Sequence, residues 1–154
     1  MKKYLLTIII SILSISFIQD VHANDVSIGI AYAIGIEDGK EYQDDIILIT
    51  SGSDQRLLDG VEVPEGFVIN VIGNHTLELY DSGVLQETIN FTIIPRFDND
   101  VIDVTYFNSA KITLENSGTL LINNRVVENG TKFNKIGNYK VTVKGMNDYE
   151  VSYT

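Results

Sequence analysis

The chain has 154 residues, no cysteine, two histidines and a formal net charge of −10. Without cysteine there is no thiolate nucleophile, no Cys-based zinc site, no disulfide and no thiol for lipid attachment. An acidic surface repels phosphate backbones and anionic lipid, which disfavours nucleic-acid binding and electrostatic docking on a membrane; the acidity reads as a solubility device, with cation binding left open.

Residues 1–23 read as a signal peptide. Lys2 and Lys3 open it, Tyr4 to Ile18 is an uncharged apolar or hydroxylic run, and Val21-His22-Ala23 places small residues where a signal peptidase cuts. A spanning helix needs about 20 apolar residues and this run is shorter, so cleavage is favoured over a retained anchor, and no later segment is long enough to span a membrane. The mature chain then starts at Asn24 and is destined for secretion or the cell surface. Since the removed segment carries Lys2, Lys3 and Asp20, the mature chain is one charge more negative than the whole.

From Val26 to Ile36 the large apolar residues fall at every second position, with Ser, Gly or Ala between, which predicts a strand burying Val26, Ile28, Ile30, Tyr32, Ile34 and Ile36. The small residues on its other face predict close approach by a neighbour or a bend, with Gly35 marking where the strand leaves its sheet. Asp45 to Thr50 is a second, β-branched run. Gln55 to Val63 around Asp59-Gly60 predicts a hairpin with a type I′ turn, because both central residues must reach positive φ. His75 to Tyr80 alternates, with His75, Leu77 and Leu79 predicted inward and Thr76, Glu78 and Tyr80 outward. Glu87 to Ile94 follows, with Ile89, Phe91 and Ile93 on one face.

The second half repeats the first at a spacing of 64: Val63, Gly66, Asn70, Ile72, Gly73 and Asn74 superpose on Val127, Gly130, Asn134, Ile136, Gly137 and Asn138, six identities in twelve positions. Its predicted strands are Val101 to Tyr106, Lys111 to Leu114, Thr119 to Ile122, Arg125 to Val127, Thr131 to Phe133, Tyr139 to Lys144 and Tyr149 to Thr154. Short strands with frequent turn signals and no helical periodicity predict an all-β fold of two tandem β-sandwich domains, residues 24–95 and 96–154.

Leu58-Asp59-Gly60, the turn ending in Gly66, Gly73-Asn74-His75-Thr76-Leu77 and the closing Ile89 to Ile93 resemble the tandem immunoglobulin-like modules of bacterial secreted and cell-surface proteins. Gly137-Asn138-Tyr139-Lys140-Val141 is the closer match. Its Tyr139 stands where the tyrosine of such sandwiches often bonds backbone with its hydroxyl, whereas the first copy has His75 there. The second copy stops at Tyr153-Thr154, a residue or two before the family's last strand is complete. The resemblance implies a fold and a location, and it carries no activity over.

No catalytic constellation is expected. The mature chain has one histidine, His75, and its alternation and its counterpart Tyr139 make it a core or corner residue rather than a base; one imidazole is also too few for a histidine metal site. Asp98, Asn99, Asp100 and Asp103 cluster at the junction of the halves and can offer hard oxygen ligands to Ca²⁺; a solvated linker is the favoured alternative. Glu37, Asp38, Asp44 and Asp45 would be the matching acidic cluster of the first copy. Asn74, Asn90 and Asn129 begin Asn-x-Thr triplets that matter only in a eukaryotic secretory pathway. Tyr80 and Tyr106-Phe107 are the candidate sugar platforms, although aromatic residues in a sandwich are more often core. The expected function is therefore a non-enzymatic binding or adhesion module for a protein or glycan partner outside the cytoplasm. The alternative is a structural spacer, a shortened relative of a longer array.

Overall fold

The structure is a computed structural model that describes residues 30–98 and 109–154. The signal segment, the start of the first predicted strand, Asn99, Asp100, Asp103, Tyr106 and Phe107 lie outside the described residues.

Every regular element described is a strand. In chain order these are β1 (Tyr32–Ala33), β2 (Glu41–Tyr42), β3 (Ile46–Ile47), β4 (Thr50–Ser51), β5 (Gln55–Leu58), β6 (Val61–Glu62), β7 (Val68–Ile69), β8 (Gly73–Asp81) and β9 (Val84–Ile93) in the first half. The second half has β10 (Ala110–Lys111), β11 (Thr119–Ile122), β12 (Arg125–Val126), β13 (Lys132–Phe133), β14 (Val141–Lys144) and β15 (Glu150–Tyr153). The first half forms a five-stranded sheet of order β2-β9-β8-β5-β6 and two strand pairs, β1-β4 and β3-β7. The second forms a four-stranded sheet, β12-β11-β14-β15, and the pair β10-β13. All pairs are antiparallel except β2 with β9.

The sequence repeat is a repeat of structure. Strands β3, β5, β6 and β7 have the bounds of β10, β11, β12 and β13 shifted by 64, and the order β6-β5-β8-β9 recurs as β12-β11-β14-β15. Single hydrogen bonds recur too. Val63 N donates to Arg56 O as Val127 N does to Leu120 O, both at 3.0 Å, and Thr50 N donates to Glu65 Oε1 at 2.8 Å as Leu114 N does to Asn129 Oδ1 at 2.7 Å.

The alternations of β8 and β9 fall as predicted: His75, Leu77, Leu79, Ile89, Phe91 and Ile93 are buried and join Leu48, Ile69 and Ile72 in the apolar core. Each fully buried Leu or Ile contributes about 1.5–3 kcal/mol. The hairpin turn is also as predicted, with φ of 52° at Asp59 and 79° at Gly60, and its counterpart Asn123-Asn124 has 49° and 65°.

The first predicted strand is corrected. Ala31 is fully buried and Ala33 packs on the core, while Ile30, Tyr32 and Ile34 face solvent. The alternation is real but its faces are inverted: the small residues face the core and the large ones face out. A Cβ on Gly52 would sit 3.2 Å from Ile30 O and 3.3 Å from Ala31 Cα, so the two backbones run close together and position 52 is glycine. Ile36, past the bend at Gly35, is buried as expected.

Candidate functional site

The two halves meet in a hydrogen-bonded seam. Ser117 N donates to Asn70 O at 2.9 Å, Ile72 N to Ser117 O at 2.8 Å, and Met146 N to Ile72 O at 2.7 Å. Two glycines permit this: a Cβ on Gly145 would lie 2.2 Å from Ile72 O, and one on Gly73, whose φ is 143°, would lie 2.5 Å from Met146 N. Beside the seam, Arg96 reaches Glu115 at 2.8 Å, Asp44 at 3.2 Å and Asp45 at 3.5 Å. The buried Asn116 donates to Ile94 O at 2.8 Å and accepts from Arg96 N at 3.0 Å.

Next to the seam stands His75, held on both sides. Its Nε2 lies 2.7 Å from Val71 O, and its Nδ1 lies 2.8 Å from Asp59 Oδ2. Val71 O can only accept, so Nε2 donates to it, and Nδ1 lies within hydrogen-bond reach of the Asp59 carboxyl. Asp59 Oδ1 accepts from Thr76 N at 2.9 Å and from Asn147 Nδ2, across the seam, at 3.2 Å. His75 is buried with both nitrogens within hydrogen-bond reach of partners in its own half, and Asp59 carries the contact on to Asn147 of the other.

Outside this network the five-stranded sheet presents a polar face. Thr76 Oγ1 donates to Asn90 Oδ1 and Thr92 Oγ1 to Asn74 Oδ1, both at 3.0 Å, along directly paired positions of β8 and β9. These side chains, with Gly39, Glu78 and Asn147, line an open depression of about 610 Å³ that reaches inward to Asp59 and His75. Its walls include carboxamides, hydroxyls and the carboxylates of Asp59 and Glu78, with the Phe91 ring beneath, and the polar groups can hydrogen-bond a ligand and fix its orientation. Periodicity places Thr76 and Glu78 outward, but nothing in the sequence brings Asn147 to them from 73 residues beyond Asn74.

The acidic residues are dispersed. Glu37 pairs with Lys40, Asp38 Oδ1 accepts from Asn90 N at 2.7 Å, and Asp44 and Asp45 face Arg96. Asp98 is exposed, with its amide bonded to Thr113 O at 3.1 Å, and its three expected companions lie outside the described residues. Among the described residues no three His, Cys, Asp or Glu are grouped to hold a metal, and no helix is long and apolar enough to cross a membrane. Tyr80 is half-buried, its hydroxyl 3.4 Å from Glu78.

Glu65 closes the β3–β7 region. It accepts from the Thr50 amide and hydroxyl, both at 2.8 Å, and pairs with Arg56 at 2.8 Å; the bonds from Thr50 come first, and with the Arg56 charge they hold its carboxyl below the usual carboxylate range. The chain matches no protein-family model, no curated protein and no solved structure.

Proposed function

We propose that this protein is a non-enzymatic binding module, secreted or displayed at the cell surface, built of two tandem immunoglobulin-like sandwiches at residues 24–95 and 96–154. The observation that carries the reading is the recurrence of strand bounds, sheet order and individual hydrogen bonds at a spacing of 64. A scaffold repeated in this way presents surface, and the polar depression over β8 and β9 is the surface best furnished to engage a protein or glycan. The engagement of both His75 nitrogens supports a non-catalytic role for the sole histidine of the mature chain.

The test is capture. The exported protein is immobilised and offered glycan arrays, envelope material and matrix proteins, beside a Thr76→Arg variant that fills the depression. A retained partner that Thr76→Arg releases supports the reading; retention of nothing, or retention indifferent to that change, counts against it. A second reading, a rigid spacer, is favoured by the seam, where main-chain hydrogen bonds join the halves directly. A chain that binds nothing yet keeps one fixed shape in solution scattering is the outcome that reading expects.

A further inference from the structure

Six large apolar side chains, Ile30, Tyr32, Ile34, Ile47, Ile49 and Val68, are between 46% and 70% exposed and lie on one face. Their contiguity follows from the register: Ile34 N bonds Ile49 O at 2.8 Å, Ile47 pairs directly with Val68, and the rest follow at alternate positions along their strands. Their inward neighbours Ala31, Leu48 and Ile69 are buried, so this is the outer face of a sheet whose inner face already has its core.

The fold does not require that face to be apolar, as the second half shows. The Phe97–Leu114 bridge corresponds to the Ala33–Thr50 pair, and Lys111 pairs with Lys132 where Ile47 pairs with Val68. At the positions of Tyr32, Ile34, Ile47, Ile49 and Val68 the second half therefore carries Arg96, Asp98, Lys111, Thr113 and Lys132. The same backbone accepts charge at one copy and presents hydrocarbon at the other, and the difference concerns what meets the surface.

We propose that this face is an interface between two copies of the chain, packed sheet on sheet about a two-fold axis. Six such side chains, each about half exposed, present on the order of 600 Å² of apolar surface, at the upper end of the largest patches that monomers leave exposed. That approaches the ~800 Å² each partner contributes to a standard interface. The centre of the face is hydrocarbon, with the hydroxyls of Tyr32 and Ser51 toward one end and the Asp45–Arg96 pair at its margin. A second uncharged sheet face suits it, and this chain has one. Two-fold packing brings the patch against itself, with sheets about 10 Å apart. It also sets two chains of net charge −10 together through a patch whose centre carries no charge.

The test uses the full chain, exported and recovered, with its processed mass measured. Sedimentation velocity over a dilution series is expected to show a reversible dimer. Ile47→Lys/Val68→Lys installs the residues that positions 111 and 132 carry in the other half, and is expected to abolish the dimer with the β-sheet circular dichroism unchanged. Should that variant fail to fold, Ile49→Thr, which installs the residue found at the equivalent Thr113, is expected to raise the dissociation constant by about tenfold, the equivalent of 1.4 kcal/mol. Val84→Lys, an exposed position on the β8–β9 turn, is the control and leaves the dimer intact. A wild type monomeric throughout the series, a dimer that survives Ile47→Lys/Val68→Lys or Ile49→Thr unchanged, or one that Val84→Lys abolishes equally would overturn the proposal. Amide protection of residues 46–50 that does not vary with concentration would also overturn it, because the cover would then come from within the chain.

Discussion

His75 and Tyr139 stand 64 positions apart and make the same bond with different chemistry: the imidazole Nε2 meets Val71 O at 2.7 Å, the phenol hydroxyl meets Lys135 O at 2.8 Å, and each acceptor lies four residues upstream. Their turn partners are matched as well. Asp59 Oδ1 accepts from Thr76 N, and Asn123 Oδ1 from Lys140 N, both at 2.9 Å. The residue with a second ring nitrogen, His75, is paired with Asp59, and the residue with a single hydroxyl, Tyr139, stands beside Asn123 in the equivalent turn.

This correlation predicts coupling. His75→Tyr alone leaves Asp59 Oδ2 without its ring partner, and Asp59→Asn alone changes the group that Nδ1 meets; each is expected to cost about 1–3 kcal/mol. The double change installs the pair found in the second half and is expected to recover at least about 1 kcal/mol relative to the sum of the singles. Urea unfolding of the four proteins measures this, and strict additivity would show that the match with Asn123 and Tyr139 carries no energy.

Much of the first half is legible in the sequence because its signals are local. Alternation sets the inward faces of β8 and β9, and Asp59-Gly60 names its own turn. The first strand defeats the same reasoning because alternation gives a period and not a side. Which side faces in depends on packing against distant parts of the chain, among them the backbone at Gly52, about 20 residues away, which runs close to that of Ala31. The seam is hidden for a similar reason: Gly145 and Asn147 look like ordinary turn residues, and their meeting with Ile72 and Asn74 depends on how the halves stack.

Ile72 and Ile136 show the limit of sequence identity. They are the same residue at equivalent positions, yet Ile72 is 0% exposed and Ile136 is 107% exposed, because the second half covers Ile72 at the seam. Ile72→Ala is expected to cost about 2–5 kcal/mol, the range for emptying a packed site. Ile136→Ala is expected to stay within about 0.5 kcal/mol. Equal effects in urea unfolding would contradict the seam.

The clip at Glu65 sets a pH dependence in one half only. Its carboxyl is held low in the folded state, so its stabilising contribution is complete above the unfolded value and is lost as pH falls through the folded one. The equivalent acceptor, Asn129, does not titrate. On acidification the Thr50 amide resonance is expected to move before any global unfolding while that of Leu114 stays still, and Glu65→Gln is expected to abolish the movement. A Leu114 shift that tracks the Thr50 shift would rule the clip out as its source.

The seam itself is open to a one-carbon test. Gly145 is needed for space, since a Cβ there would lie 2.2 Å from Ile72 O and 2.9 Å from Gly73 N, atoms of the main chain that cannot rotate away. Gly145→Ala must therefore push the β14–β15 turn off β8, lengthening the Met146 N to Ile72 O bond and withdrawing Asn147 from Asp59. The expected cost is about 1–3 kcal/mol, typical of overpacking, with hydrogen exchange accelerated at Ile72 and Met146 first. Gly137→Ala serves as the comparison, because the nearest atom to its added Cβ is Tyr139 Cε2 at 4.0 Å, and it is expected to leave exchange at the seam unchanged. If Gly145→Ala proves neutral while the Ile72 and Met146 amides keep their protection, the two halves do not meet through this turn.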